Sequence, residues 1–230
     1  MKIKDEIVYL LAIVLISFST AMISAADLGV SMIVAPAYIL SLRFDFLTFG
    51  QCEYIIQGLF IIVFCFVMRK FKPIYLFSFV TALLYGAMLD MWRAVIPHFR
   101  QEVYLGGALP MHLRIIYFVV GAVLTSLAVA LFLHSYLYPQ VYDFFVKGIT
   151  NKYNYKLSTF KYIFDGTALL TAVVLSLLFF HGFKGIGIGT LILTVANSFM
   201  IMMFNKLIDK TLVITPIFPK LKKYFDDSIA

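Results

Sequence analysis

The sequence predicts an all-α polytopic membrane protein. It would have six transmembrane helices arranged as two inverted three-helix repeats, each with an extra half-helix after its first span. Three observations predict it. Hydrophobic residues make up 62% of the 230 and charged residues 13%, with a mean hydropathy of +0.95; an ordinary soluble domain is roughly half apolar and about a quarter charged. Six apolar runs approach the length of about 20 residues that crosses a bilayer. The order of long and short runs occurs twice.

This composition excludes a soluble enzyme, a disordered chain and a nucleic-acid-binding domain, because so much apolar side chain could not be covered by the polar surface available. The net charge of +7 belongs to lysines and arginines at span ends, where they set orientation and meet anionic lipid. The partners expected are therefore the bilayer, with anionic headgroups at the cytoplasmic face, an unknown small solute, and a homo-oligomer or partner subunit, but no nucleic acid.

The first repeat, 1–110, opens on a run at 7–26. Its basic start resembles a signal peptide, but further spans follow and no clear cleavage site is present, so it reads as a retained span. Residues 30–42 are apolar, contain Pro36 and are too short to span, which predicts a re-entrant or interfacial half-helix. The second span, 53–68, is closed by Arg69, Lys70 and Lys72. Pro73, a natural first-turn residue, opens the third at 73–96. The second repeat, 111–230, has spans at 111–133, 160–180 and 185–207, a half-helix at 139–150 and an interfacial tail at 217–227. Together the repeats form one membrane domain. Cys52 and Cys65 make no disulfide framework.

Topology follows from the basic residues. With the amino terminus cytoplasmic, Lys2, Lys4, Arg69, Lys70, Lys72, Lys147, Lys152, Lys156, Lys161, Lys206, Lys210, Lys220, Lys222 and Lys223 lie inside. Arg43, Arg93, Arg100, Arg114 and Lys184 lie outside. Fourteen against five is a positive-inside distribution with both termini cytoplasmic.

A shift of 108 residues lays Ile7-Val8-Tyr9 on Ile115-Ile116-Tyr117, and Tyr54-Ile55-Ile56-Gln57-Gly58 on Tyr162-Ile163-Phe164-Asp165-Gly166. The same shift brings 30–42 onto 138–150. After a four-residue insertion, Ser78 meets Thr190, Tyr85 meets Asn197 and Trp92 meets Phe204. Each half crosses the membrane three times, so two copies run in opposite directions. Many secondary transporters alternate access around a site between such repeats.

Several segments resemble the YitT/YczE-like family of bacterial integral membrane proteins. They are Leu28-Gly29-Val30-Ser31, the Pro36-bearing half-helix and Phe49-Gly50 in the first half. In the second half they are Tyr138-Pro139-Gln140-Val141-Tyr142-Asp143 and Gly185-Ile186-Gly187-Ile188-Gly189-Thr190. Tyr142 stands where that family often has Trp, and Val30-Ser31 where its first copy has Gly-Pro. The resemblance implies a multi-pass protein of the bacterial plasma membrane.

No catalytic motif, cofactor site or metal-ligand spacing is present, so no catalytic residue, cofactor or metal is assigned. His98, His112, His134 and His181 fall near span ends. The polar residues inside spans are the better candidates, since such groups face the bundle interior. Gln57 and Asp165 are expected as anchors near opposite membrane surfaces, each before a glycine that permits close helix approach. Ser78, Thr81 and Tyr85, with Trp92 further along, form one polar face, and Thr190, Thr194, Asn197 and Ser198 another. Either face binds neighbouring helices or lines a cavity. Ser17, Thr20 and Ser24 make a similar stripe in the first span. Asp90 and Arg93 could pair locally. Gly29 and Ser31 are expected at the start of the first half-helix, where free N–H groups could meet an anion, and Asp143 one turn into the second. The function expected is a small secondary transporter or solute-binding module with its cavity between the repeats. The alternative is a non-transporting regulatory or assembly partner acting through helix contacts.

Overall fold

The computed structural model describes residues 2–73, 75–99, 109–137 and 140–223. Arg100, Tyr138, Pro139 and the last part of the expected tail, 224–227, lie outside them. The six spans are helices α1 (Asp5–Ala26), α3 (Phe49–Met68), α4 (Tyr75–Val95), α5 (Met111–Leu133), α7 (Leu157–Phe180) and α8 (Ile188–Thr211), each long and apolar enough to cross a membrane. The half-helices are α2 (Ala35–Arg43) and α6 (Val141–Tyr153).

Local chemistry sets several boundaries. Thr48 accepts from the Gln51 N–H at 3.1 Å, and Gln51 returns a bond to the Thr48 N–H at 2.9 Å. This capping box starts α3 at Phe49, four residues before the expected Glu53. Asp90 of α4 adds to that cap, accepting from Gly50 N–H at 2.8 Å and Thr48 Oγ1 at 2.5 Å. Asp90 is thus tied to the positive end of α3 rather than to Arg93, whose guanidinium lies over the Phe49 ring. Asp27, Arg69, Asn154 and His181 end their helices in the left-handed region, at φ of 50° to 54°. Pro36 lies in the first turn of α2, which begins at Ala35, so the first half-helix starts later than the expected residue 30.

The termini come together. β1 (Lys2–Lys4) and β2 (Val213–Thr215) form a two-stranded parallel sheet that the sequence reading did not foresee. Glu6 accepts N–H groups from Ile217 at 2.9 Å and Phe218 at 3.2 Å, and the Tyr136 hydroxyl at 2.6 Å. Asp5 takes Ser135 Oγ at 2.5 Å and the Tyr136 N–H at 3.3 Å. Burial and the Glu6 carboxylate push the Tyr136 phenol above its ordinary range, so it stays a donor. The first two acids of α1 therefore hold both the α5–α6 connection and the tail. Glu6→Ala is expected to destabilise by about 1–3 kcal/mol, because it leaves three donors without their charged acceptor. Faster amide exchange over 213–223 would register it; an unchanged exchange rate there would refute the clamp.

Packing is organised around α1 and α5, which lie along each other, with Thr125 donating to Ser19 Oγ at 2.8 Å and Gly121 against Ile23 and Ser19 O. α4 packs on α1 and α8 on α5, while α2 and α6 are each held between α3 and α7. The half-helices are thus inside the bundle, not laid on its surface, and Ala37, Tyr38, Ile39, Val141, Tyr142 and Val146 are buried. Two apolar clusters fill the ends of the bundle. One gathers Val8, Tyr9, Phe64, Tyr75 and Phe144. The other gathers Ala25, Tyr38, Phe49, Leu89 and Phe118.

One seam differs from its counterpart. α3 and α4 are in intimate contact where Gly50 meets Gly86, whereas α7 and α8 make no comparable contact among the described residues. Gly58 is tight against Phe79, a built Cβ lying 3.2 Å from its ring. Gly166, expected to permit a similar approach, faces no atom within 4 Å of a built Cβ among the described residues.

Candidate functional site

Between the two apolar clusters, partway along α1, lies a polar cavity of about 220 Å³. α1 contributes Ile16 and Thr20, α4 Tyr85, α5 Thr125 and Val129, α7 Lys161 and Asp165, and α8 Leu193 to Ile201 on one face. The approach to α2, from Ser31 to Val34, and the start of α6, with Gln140, Tyr142 and Asp143, also line it. The amino-terminal ends of both half-helices therefore converge on one space. Tyr85 is the eleventh of 21 residues in α4 and Asn197 the tenth of 24 in α8, which puts the cavity near mid-span.

Seven of the sequence candidates border this cavity: Ser31, Tyr85, Asp143, Asp165, Thr194, Asn197 and Ser198. Lys161, counted from the sequence as a cytoplasmic topology residue, sits in the second turn of α7 and bridges two of them. Its Nζ is 3.4 Å from Asp143 and 3.6 Å from Asp165. Ser126 donates to Asn197 Oδ1 at 3.2 Å, tying α5 to α8.

The other five lie elsewhere. Gln57 and Asp165 are each the ninth residue of their helices, about two turns inside rather than near the surface. Gln57 is fully buried. Its Oε1 accepts the Val141 N–H at 3.1 Å, capping α6, while its Nε2 donates to Glu53 Oε2 at 3.2 Å. Thr81 is bound by Tyr9 of α1 and donates to Phe77 O at 3.2 Å. It joins helices, as does Trp92, which donates to Ser17 at 3.2 Å. Ser78 is buried on the same face. Thr190 accepts from the Gly187 N–H at 3.3 Å and closes the start of α8.

Gly29 is six residues before α2 and Ser31 four, so neither is a helix end. Gly29 adopts φ 111°, and a built Cβ would sit 2.5 Å from Thr190 Oγ1 and 2.7 Å from Gly187 N. Leu28 O accepts the Gly189 N–H at 2.9 Å, and the Val30 N–H donates to Gly185 O at 3.1 Å. This loop is matched to the Gly185–Thr190 segment and lines a second cavity of about 650 Å³ with Met111, Ile115, Phe118 and Ile192. Apolar side chains make up most of its walls, with Asp27 and Lys184 beside them.

Sequence reasoning missed Glu53, Gln140 and Tyr142. Glu53 is completely buried on α3, and its Oε2 accepts from Tyr142 OH at 3.3 Å as well as from Gln57. The readable signal was the Thr48–Gln51 box, which draws Glu53 one turn into the helix and onto one face with Gln57.

The fold defines a polytopic helical membrane protein with a polar pocket among its spans. The chain belongs to a family of unknown function, DUF6198, whose profile matches residues 3–206. No curated protein and no solved structure matches it.

Proposed function

We propose that the protein is a small secondary transporter or solute-binding module built of two inverted repeats, related to the YitT/YczE-like proteins. It would reside in the bacterial plasma membrane with both termini cytoplasmic. The observation that carries this reading is the polar cavity at mid-span, to which α6, the approach to α2 and five of the six spans contribute. The basic residues support the orientation, with their cytoplasmic excess facing anionic headgroups. The packing supports the repeats. Exchanging α1 with α5, α2 with α6, α3 with α7 and α4 with α8 carries the α1–α4 contact onto α5–α8, and α2–α7 onto α6–α3.

The exchange fails at one seam, α3–α4 being closed and α7–α8 apart. In a pair of inverted repeats, such inequality is what distinguishes one access state from its opposite. The other state closes α7 on α8, as the 108- and 112-residue shifts carry the Gly58–Phe79 contact onto Gly166 and Leu191. The test uses a background lacking Cys52 and Cys65. Gly166→Cys with Leu191→Cys is expected to be bridged in membranes by a short reducible bis-thiol cross-linker, which stops solute exchange and releases it on reduction. A single Ser198→Cys is expected to react with a water-soluble thiol reagent. A 166–191 pair that never joins would refute alternating closure, and an unreactive Ser198→Cys would refute a solute-accessible cavity.

A further inference from the structure

We infer that the solute of the central cavity is a small zwitterion carrying an ammonium and a carboxylate on one short skeleton. The inference rests on the solute-binding reading above and adds the class of ligand. Size comes first. The cavity's volume of about 220 Å³ suits a small solute.

The lining presents lone pairs on one side. The hydroxyl hydrogens are directed at protein acceptors: Tyr85 to Thr20 at 3.2 Å, Thr194 to Thr190 O at 2.9 Å, and Ser198 to Thr194 O at 3.3 Å. Their oxygens are left to accept. Asp165 Oδ1 makes no hydrogen bond among the described residues; its ion pair with the Lys161 ammonium is long, at 3.6 Å, and that ammonium is shared with Asp143. An N–H-rich cationic group fits this wall.

The opposite requirement comes from Gln140. It is 8% exposed, lines the cavity at the start of α6, and its Nε2 has no hydrogen-bond partner among the described residues. A buried donor calls for an acceptor. The start of α6 and the approach to α2 bring two positive helix ends to the same space, which favours an anionic oxygen.

Charge summation selects between the classes. Two carboxylates and one ammonium line the cavity, and each helix end adds about half a positive charge. The total is close to zero. A purely cationic or anionic guest would leave a charge uncompensated inside the membrane, whereas a zwitterion adds none.

The purified full-length protein is melted with glycine, L-alanine or L-serine, with glycinamide as the cation, N-acetylglycine as the anion and glycerol as the neutral control. At least one zwitterion is expected to raise the melting temperature where the other three do not. Asp165→Asn and Gln140→Ala, first checked for folding without solute, should each weaken that response about tenfold or more. Asn197→Ala provides a third lining variant. Glycinamide acting as well as glycine overturns the carboxylate half, and N-acetylglycine acting as well overturns the ammonium half. A glycerol response that depends on Asn197, with none to zwitterions, overturns the class but leaves a solute cavity. A zwitterion response unchanged in all three variants overturns both readings. No response to any zwitterion overturns this inference alone, since the Ser198→Cys reactivity tests the cavity independently.

Discussion

Gly50→Val and Gly86→Val are each expected to abolish recovery of folded protein, while Gly166→Val leaves recovery at the wild-type level. A Cβ on Gly50 would lie 2.0 Å from Gly86 O, and one on Gly86 would lie 2.7 Å from Gly50 O. The obstruction is backbone against backbone, so no side-chain rotation relieves it. Overpacking a core ordinarily costs about 1–3 kcal/mol. Here α3 and α4 must also separate, which removes the Asp90 cap on Gly50 and Thr48, and the total approaches the 5–15 kcal/mol margin typical of folded proteins. Gly166 has open space in front of it. Size-exclusion profiles of detergent extracts read the result. A sharp, wild-type peak from Gly86→Val would show that the α3–α4 seam is not closed as described. The Gly166 variant carries a second expectation: if α7 must approach α8 during exchange, it folds but exchanges solute poorly.

The second large effect concerns Glu53. Glu53→Ala removes the common acceptor of Gln57 Nε2 and Tyr142 OH, both buried. Two donors then lack partners in an apolar interior, at about 1–3 kcal/mol each, and the vacated volume adds to this. Gln57 also holds the Val141 N–H, so the start of α6, and Gln140 beside it, loses its support. A loss of about 3–5 kcal/mol is expected. Glu53→Gln keeps an acceptor oxygen in the same place and should retain most of the stability. Melting of the two variants compares them directly. Equal melting temperatures for Ala and Gln would remove the hydrogen-bond network as the explanation.

The fate of individual residues shows how far the chain could be read. The fourth span, 111–133, was legible to the residue, because Pro110 marks its start and a continuous apolar run follows. Tyr85, Asp165 and Asn197 were legible as candidates, because a polar group within an apolar run cannot comfortably face lipid. Their distribution between roles was not. Thr81 and Thr194 look alike in sequence, yet one joins α4 to α1 and the other faces the cavity. That choice depends on which neighbour stands opposite, and helical periodicity contains no information about it. Lys161 was misread for the same reason: a lysine near a span end reads as a topology signal until two acids from different elements are brought within 4 Å of it.

The sequence by itself determined the class: the 62% hydrophobic content and six long apolar runs leave only a helical bundle in a membrane, because the backbone must satisfy its own hydrogen bonds there. It also determined that two segments would be too short to span. Tertiary structure alone decided that these half-helices enter the bundle between α3 and α7, that their starts meet at a polar cavity, and that α7 stands apart from α8 while α3 grips α4. Those outcomes depend on contacts between residues far apart in the chain, such as Tyr142 of α6 with Glu53 of α3, 89 positions away. Local pattern sets which face of a helix is polar; only the packing of the helices together sets what that face meets.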